Sequence, residues 1–192
     1  MSRPPLAREK ILAAARQIVE RDGAGALTFD ELVRESGITR GGITYHFPTK
    51  EDLLRGLLEA DFLKWDASEA ALTPTDCDPE TARLLGFIRS LTAQDESHRR
   101  FLCGMLSAAT LDPSLMDPCR QELRERLGRK QWTDRDLRLH LVHLAAEGLM
   151  WQELFQMYSM PGPARARLVA LMEDLARQWG TGQAPKKIAK EA

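Results

Sequence analysis

Ile11, Ala14, Ala15, Ile18 and Val19 fall on one face of a 3.6-residue period, with Arg8, Lys10, Arg16 and Glu20 on the other. Leu6 to Asp22 is therefore read as an amphipathic helix. Asp22-Gly23-Ala24-Gly25 breaks it. Thr28-Phe29-Asp30-Glu31 follows with the residue types of a capping box: the Thr28 hydroxyl accepts from the amide three residues on, and Glu31 reaches back. Leu27 and Leu32 flank the cap as a hydrophobic staple. Gly37 stops this second helix after about two turns. Thr39 caps a third short helix, with Ile38 set against Ile43, and Pro48 ends it near Phe47. Thr49 and Asp52 cap a fourth, Lys50 to about Leu72, with Leu54, Leu57, Leu58, Phe62 and Trp65 at helical spacing.

The same grammar runs to the end of the chain. Thr73-Pro74, Asp78-Pro79, Asp112-Pro113, Asp117-Pro118, Gly128 and Pro161-Gly162-Pro163 punctuate it. Between them the spacing predicts helices over 80–95, 97–110, 114–128, 134–158 and 164–179. The 134–158 segment is apolar nearly all round, which requires burial on several sides. Its small residues Ala145, Ala146 and Gly148 permit close helix contact. The 164–179 segment carries one stripe, Leu168, Leu171, Met172, Leu175 and Trp179. No strand-like alternation and no repeat of fixed period occurs. The fold class expected is all-α, with a head over 1–50, a helical body over 51–180 and a disordered polar tail over 181–192.

Composition narrows this picture. At 192 residues, 43% apolar and 29% charged, the chain has material for a real core. Charge-free stretches such as Phe101 to Leu111 reach only eleven residues, short of the roughly 18 that a spanning helix needs. Three widely spaced cysteines, Cys77, Cys103 and Cys119, suit reduced thiols in the cytoplasm better than a disulfide framework. The net charge of −1 hides an uneven distribution. Residues 1–50 hold eight basic side chains against six acidic, and residues 51–180 hold 16 against 21. A mildly positive head on an acidic body is compatible with a polyanion partner.

Two short helices joined through Glu35-Ser36-Gly37-Ile38, behind a longer one, make the outline of a helix-turn-helix. On the second short helix Thr39, Arg40, Gly41, Thr44 and Tyr45 are left facing outward. Arg40 is suited to a bidentate contact with a guanine edge. Gly41 and Gly42 let the backbone approach bases closely, and Tyr45, His46 and Lys50 are in reach of phosphates. Two glycines in so short a helix cost about 1 kcal/mol each against alanine, which points to close approach to a ligand. The capped amides near Thr28 and Thr49 add phosphate donors.

Residues 1–54 resemble the DNA-binding region of the TetR family of bacterial transcriptional regulators. The stretch that carries the likeness is Leu27-Thr28-Phe29-Asp30-Glu31-Leu32-Val33, then Gly37 through Leu54 with its Tyr45-His46-Phe47 run and Lys50. Ala146-Glu147-Gly148-Leu149-Met150-Trp151 is similar to a segment of the family's late helices. The resemblance implies a homodimer joined by the helices near 134–158 and 164–179, a ligand site in the C-terminal domain, and two recognition helices reading a palindromic operator. It places Arg40, Gly41 and Gly42 at bases, and Thr28, Thr44, Tyr45, His46 and Lys50 at phosphates. Family members commonly have threonine, serine or alanine where this chain has Gly42, and often tyrosine where it has Thr44.

Phe62, Trp65, Phe101, Met105, Met116, Met150, Trp151 and Phe155 are the candidate lining of an effector site, each competing with a plain core role. His140, His143 and Glu147 share one helix face at i, i+3 and i+7, but with no further convergent ligand they read as interface histidines rather than a metal site. No phosphate loop, nucleophile elbow or zinc-protease signature is found, so neither a catalytic role nor a cofactor is expected. The function implied is a DNA-binding regulator, a repressor released from its operator by a small apolar effector. The alternative is a C-terminal domain that recognises a protein, which the lack of an apolar pocket would favour.

Overall fold

The computed structural model describes residues 7–181. Leu6 and the predicted tail beyond Thr181 lie outside the described residues. Among the described residues the chain is all-helical: α1 Ala7–Asp22, α2 Phe29–Ser36, α3 Arg40–His46, α4 Lys50–Leu72, α5 Pro79–Thr92, α6 Glu96–Leu111, α7 Asp117–Gly128, α8 Asp134–Leu154 and α9 Gly162–Gly180. Short 3-10 turns occupy Ala24–Ala26 and Pro113–Met116.

Capping chemistry sets the boundaries. Thr28 accepts from the Glu31 amide at 3.2 Å, but the Glu31 carboxylate pairs with Arg21 and Arg34 rather than reaching back. Gly37 closes α2 at φ 68°, a left-handed geometry that glycine takes without steric cost. Thr39 caps α3. The reciprocal box forms at α4, where Asp52 N–H donates to Thr49 Oγ1 at 3.0 Å and Thr49 N–H to Asp52 Oδ2 at 3.2 Å. Asp78, Asp95 and Thr133 cap α5, α6 and α8. α8 stops at Leu154 rather than 158, because Gln156 takes φ 51° and turns the chain out of the helix.

Two compact units result, each with its own core. Of the described residues, the first holds those up to Lys64 together with Asp95–Arg124; the second holds Trp65–Gln94 and those from Glu125 on. Packing thus groups α6 and most of α7 with the helix-turn-helix head, a different partition from a cut at residue 50.

In the first unit Ile11, Ala15 and Ile18 of α1, Leu32, Ile43 and Phe47 bury against Leu53 and Leu57 of α4 and Phe101 of α6. Gly104 lets α6 approach α1: a β-carbon there would lie 2.7 Å from Val19 Cγ1. Arg16 crosses this unit at depth, donating to Asp61 Oδ1 at 2.6 Å with its guanidinium 4.1 Å from the Phe101 ring centroid. In the second unit α5, α8 and α9 pack around Leu85, Ile88, Leu139, Val142, Ala146, Met172 and Ala176. Arg89 holds Glu173 by two hydrogen bonds of 3.1 and 2.8 Å.

Candidate nucleic-acid interface and C-terminal cleft

α3 presents a mixed polar and aromatic face. Tyr45 is 82% exposed, with its ring edge-on to His46 at 5.2 Å between centroids. Arg40 and Gly41 are exposed. Arg40 donates to Asp30 Oδ1 at 2.7 Å and lies 5.6 Å from the Phe29 ring centroid. Thr39 is exposed, but its hydroxyl is taken by the Gly42 amide at 3.2 Å. Thr44 turns its hydroxyl inward, donating to the Arg40 and Gly41 carbonyls at 3.1 and 3.2 Å. Lys50 reaches from the start of α4 to the Gly25 carbonyl at 3.5 Å. Thr28 is exposed beside the α2 N-terminus.

The two glycines have different reasons. A β-carbon on Gly41 would meet nothing within 4 Å, whereas one on Gly42 would lie 2.9 Å from Ile38 Cγ2 and 3.3 Å from Thr39 Oγ1. Gly42 is bare because the turn packs on it, so close approach to an outside partner is a property of Gly41.

The eight residues expected to line an effector site are divided between the units. In the first, Phe101 and Met105 are core and Phe62 packs on it, while Met116 is half-buried in the Pro113–Met116 turn. In the second, Trp65 and Met150 pack on the core, and Trp151 and Phe155 are exposed and stacked at 5.8 Å. Large apolar side chains go first to the interior.

A cleft of about 380 Å³ does exist in the second unit, and none of those eight lines it. Its walls come from the start of α5, the end of α7 with Arg129 and Lys130 just after it, and the first half of α8, with Glu69 of α4 at the edge of the lining. Leu84, Phe87, Leu127 and Leu139 supply apolar surface. Phe87 stacks on His143 at 4.2 Å and 25°, and His143 lies parallel to His140 at 5.9 Å and 15°. His143 Nε2 is 3.2 Å from Glu147 Oε1, and that hydrogen bond holds the Glu147 carboxyl below its usual range. Burial, reinforced by His143, pushes the His140 imidazole down. Among the described residues no group of three or more His, Cys, Asp or Glu is placed to hold a metal ion. The sequence signal for this cleft was the basic run Arg124, Arg126, Arg129, Lys130 ahead of the two histidines. By itself such a charge run is the pattern of a solvated face.

The head, with its capped pair of short helices, left-handed glycine turn and outward arginine and tyrosine, is that of a helix-turn-helix DNA-binding protein. Residues 11–57 match the family model of bacterial regulatory proteins of the tetR family, and residues 81–177 that of the tetracyclin repressor-like C-terminal domain. The chain belongs to the TetR family of DNA-binding transcriptional regulators.

Over 58 residues it is 36% identical to the HTH-type transcriptional regulator QacR of Staphylococcus aureus, covering 30% of this chain and 31% of that protein. A transcriptional regulator from Rhodococcus sp. Rha1 has a similar fold, with a TM-score of 0.65 at 19% identity over 94% of this chain and 100% of that one. The multidrug binding protein EbrR, complexed with ethidium, has a TM-score of 0.62 at 20% identity over 90% and 99% of the two chains. At such identities the likeness is one of fold. No helix among the described residues is long and apolar enough to cross a membrane.

Proposed function

We propose that the protein is a homodimeric, effector-responsive repressor that acts in the cytoplasm on a palindromic operator. The observation that carries this reading is the Thr39-capped α3, with Arg40, Gly41 and Tyr45 exposed on one short helix. Arg40 reads a base edge in the major groove, while Thr28, Tyr45, His46 and Lys50 hold phosphates and set register. Two heads about 34–36 Å apart enter successive major grooves on one face of the duplex.

Dimerisation has support from α8. Leu137, Leu141, Leu144 and Trp151 are exposed at helical spacing along one face, and Phe155 just past its end and Leu171 of α9 are exposed as well. A stripe that the chain leaves open is the natural surface for a second copy. The helical body then carries the effector site, and a small molecule with an apolar body shifts the equilibrium away from the spacing that fits DNA. It does so only through its difference in affinity for the two states.

The test is selection of bound duplexes from a random pool, followed by binding measurements on the recovered site. A palindrome bound by wild type, with selectivity reduced in Arg40→Ala, supports the reading. No sequence-selective duplex binding, or full selectivity in Arg40→Ala, overturns it.

A further inference from the structure

The cleft formed by α5, the end of α7 and α8 has a charge pattern that names its guest. We propose that it binds an organic anion: a carboxylate or phosphate head on an apolar body. As the identity of the effector, this rests on the reading that the helical body takes a small-molecule effector.

Size and walls favour a small guest with apolar surface. About 380 Å³ lies within the range of small-molecule sites. Leu84, Leu127 and Leu139 offer apolar contact, and the stacked row of Phe87, His143 and His140 adds ring surface to the lining.

The acids of the lining are already committed. Glu69 Oε1 lies 3.5 Å from Arg83. Glu80 is shared by Lys130 and Arg135, and Lys130 also lies 3.7 Å from Asp136. Glu147, outside the lining, is bonded by His143.

Arg126 and Arg129 also line the cleft, and among the described residues neither has a carboxylate at ion-pair distance. Two guanidiniums outside ion-pair contact, beside an apolar wall, repel a cation and offer paired donors to a carboxylate or phosphate head. A cationic guest would need free carboxylates here, and the carboxylates present are spent.

The experiment uses three naphthalene probes that differ in the head: 1-naphthoate, 1-naphthyl phosphate and 1-naphthylmethylammonium. Each is titrated calorimetrically into the full chain, and the two anions distinguish carboxylate from phosphate as the preferred head. At least one anion is expected to bind saturably, one per chain, about tenfold or more tighter than the ammonium probe. The double variant R126E/R129E is expected to lose about tenfold or more of that affinity while its thermal unfolding stays unchanged. If the charge reversal disturbs folding, R126Q/R129Q serves instead, with the same loss expected at smaller size. Absence of saturable binding by either anion overturns the proposal, as does an ammonium probe that binds as tightly, or anion affinity that survives loss of both arginines.

A parallel titration of the operator complex separates the two readings. Anion binding that depends on the arginines but leaves the DNA complex intact supports the ligand class and removes the effector role. An anion that releases DNA from wild type but not from R126E/R129E supports both.

Discussion

Arg40 Nη1 donates a 2.7 Å hydrogen bond to Asp30 Oδ1, tying the outward helix of the pair to the helix before it. Both side chains are exposed, so the bridge contributes at most about 1 kcal/mol to stability. Its consequence is positional: the guanidinium is held over the α2 N-terminus, 5.6 Å from the Phe29 ring centroid, before any base is met. Asp30→Ala is expected to leave unfolding nearly unchanged while narrowing the affinity gap between operator and scrambled duplex. Arg40→Ala is expected to cost about 1–3 kcal/mol of discrimination at one base pair per half-site. Fluorescence anisotropy with both duplexes at fixed salt checks each. An unchanged gap in both variants means that this arginine does not read sequence.

Gly41 and Gly42 are expected to part company when each is changed to alanine. At Gly41 the new methyl meets open space, and helix propensity gains up to about 1 kcal/mol. Gly41→Ala should therefore keep or raise the melting temperature and lower operator affinity. At Gly42 the methyl must displace the β-branched Ile38, so Gly42→Ala should lower the melting temperature by a few degrees, at about 2–4 °C per kcal/mol. Thermal melts beside duplex titrations test the pair. Equal effects of the two substitutions on stability would contradict the geometry.

How much of this was readable beforehand follows from the range of the forces involved. Thr39, the Thr49–Asp52 box and Gly37 act within four residues, and the helix ends they set match the spacing of the sequence. Gly42 has the same composition as Gly41, but its role depends on where Ile38 points, which spacing does not contain. The aromatic candidates fall in two different units for a related reason. Phe101 and Trp65 have equal claim to line a site by type, yet one is fully buried in the first core and the other packs on Phe87. The cleft exists only where α5, α7 and α8 meet, so its arginines looked like any charged helix face. The spacing of His140 and His143 contains their shared face, but not the stack of rings that they build with Phe87.

His98 gives the first unit a dependence on acid. It lies 3.3 Å from Arg16 Nη2 and 3.6 Å from Asp61 Oδ1, inside the contact between α1, α4 and α6. Burial, the largest influence, pushes its imidazole below the ordinary value of 6.5. Asp61 pulls it up, Arg16 pushes it down again, and Asp95 and Glu20 pull it up. A histidine depressed in the folded state binds fewer protons there than in the unfolded chain. Its contribution is therefore intact above about pH 6.5 and is lost as the pH falls toward the folded-state value. Thermal melts from pH 8 to pH 5 should show a steeper acid loss for wild type than for His98→Gln. Parallel curves would mean that this histidine does not titrate on unfolding.

The open stripe on α8 yields the sharpest test of assembly. Leu141 and Leu144 are 58% and 49% exposed, and a β-carbon on the neighbouring Gly148 would meet nothing within 4 Å. Burying leucines of this kind against a second copy is worth about 1.5–3 kcal/mol for each full side chain. Leu141→Glu would instead bring a carboxylate into an apolar interface from both sides of a twofold axis, and Gly148→Arg would hold the helices apart. Neither change touches a core contact within the chain, so helicity and unfolding of the isolated subunit should persist. Light scattering after size exclusion is expected to give a dimer for wild type and a monomer for both variants. Operator affinity should fall with it, because a single head keeps only half the phosphate contacts and reads half the palindrome. A variant that stays dimeric would move the interface off this face of α8, and a monomer that binds the operator at full strength would remove dimerisation from the mechanism.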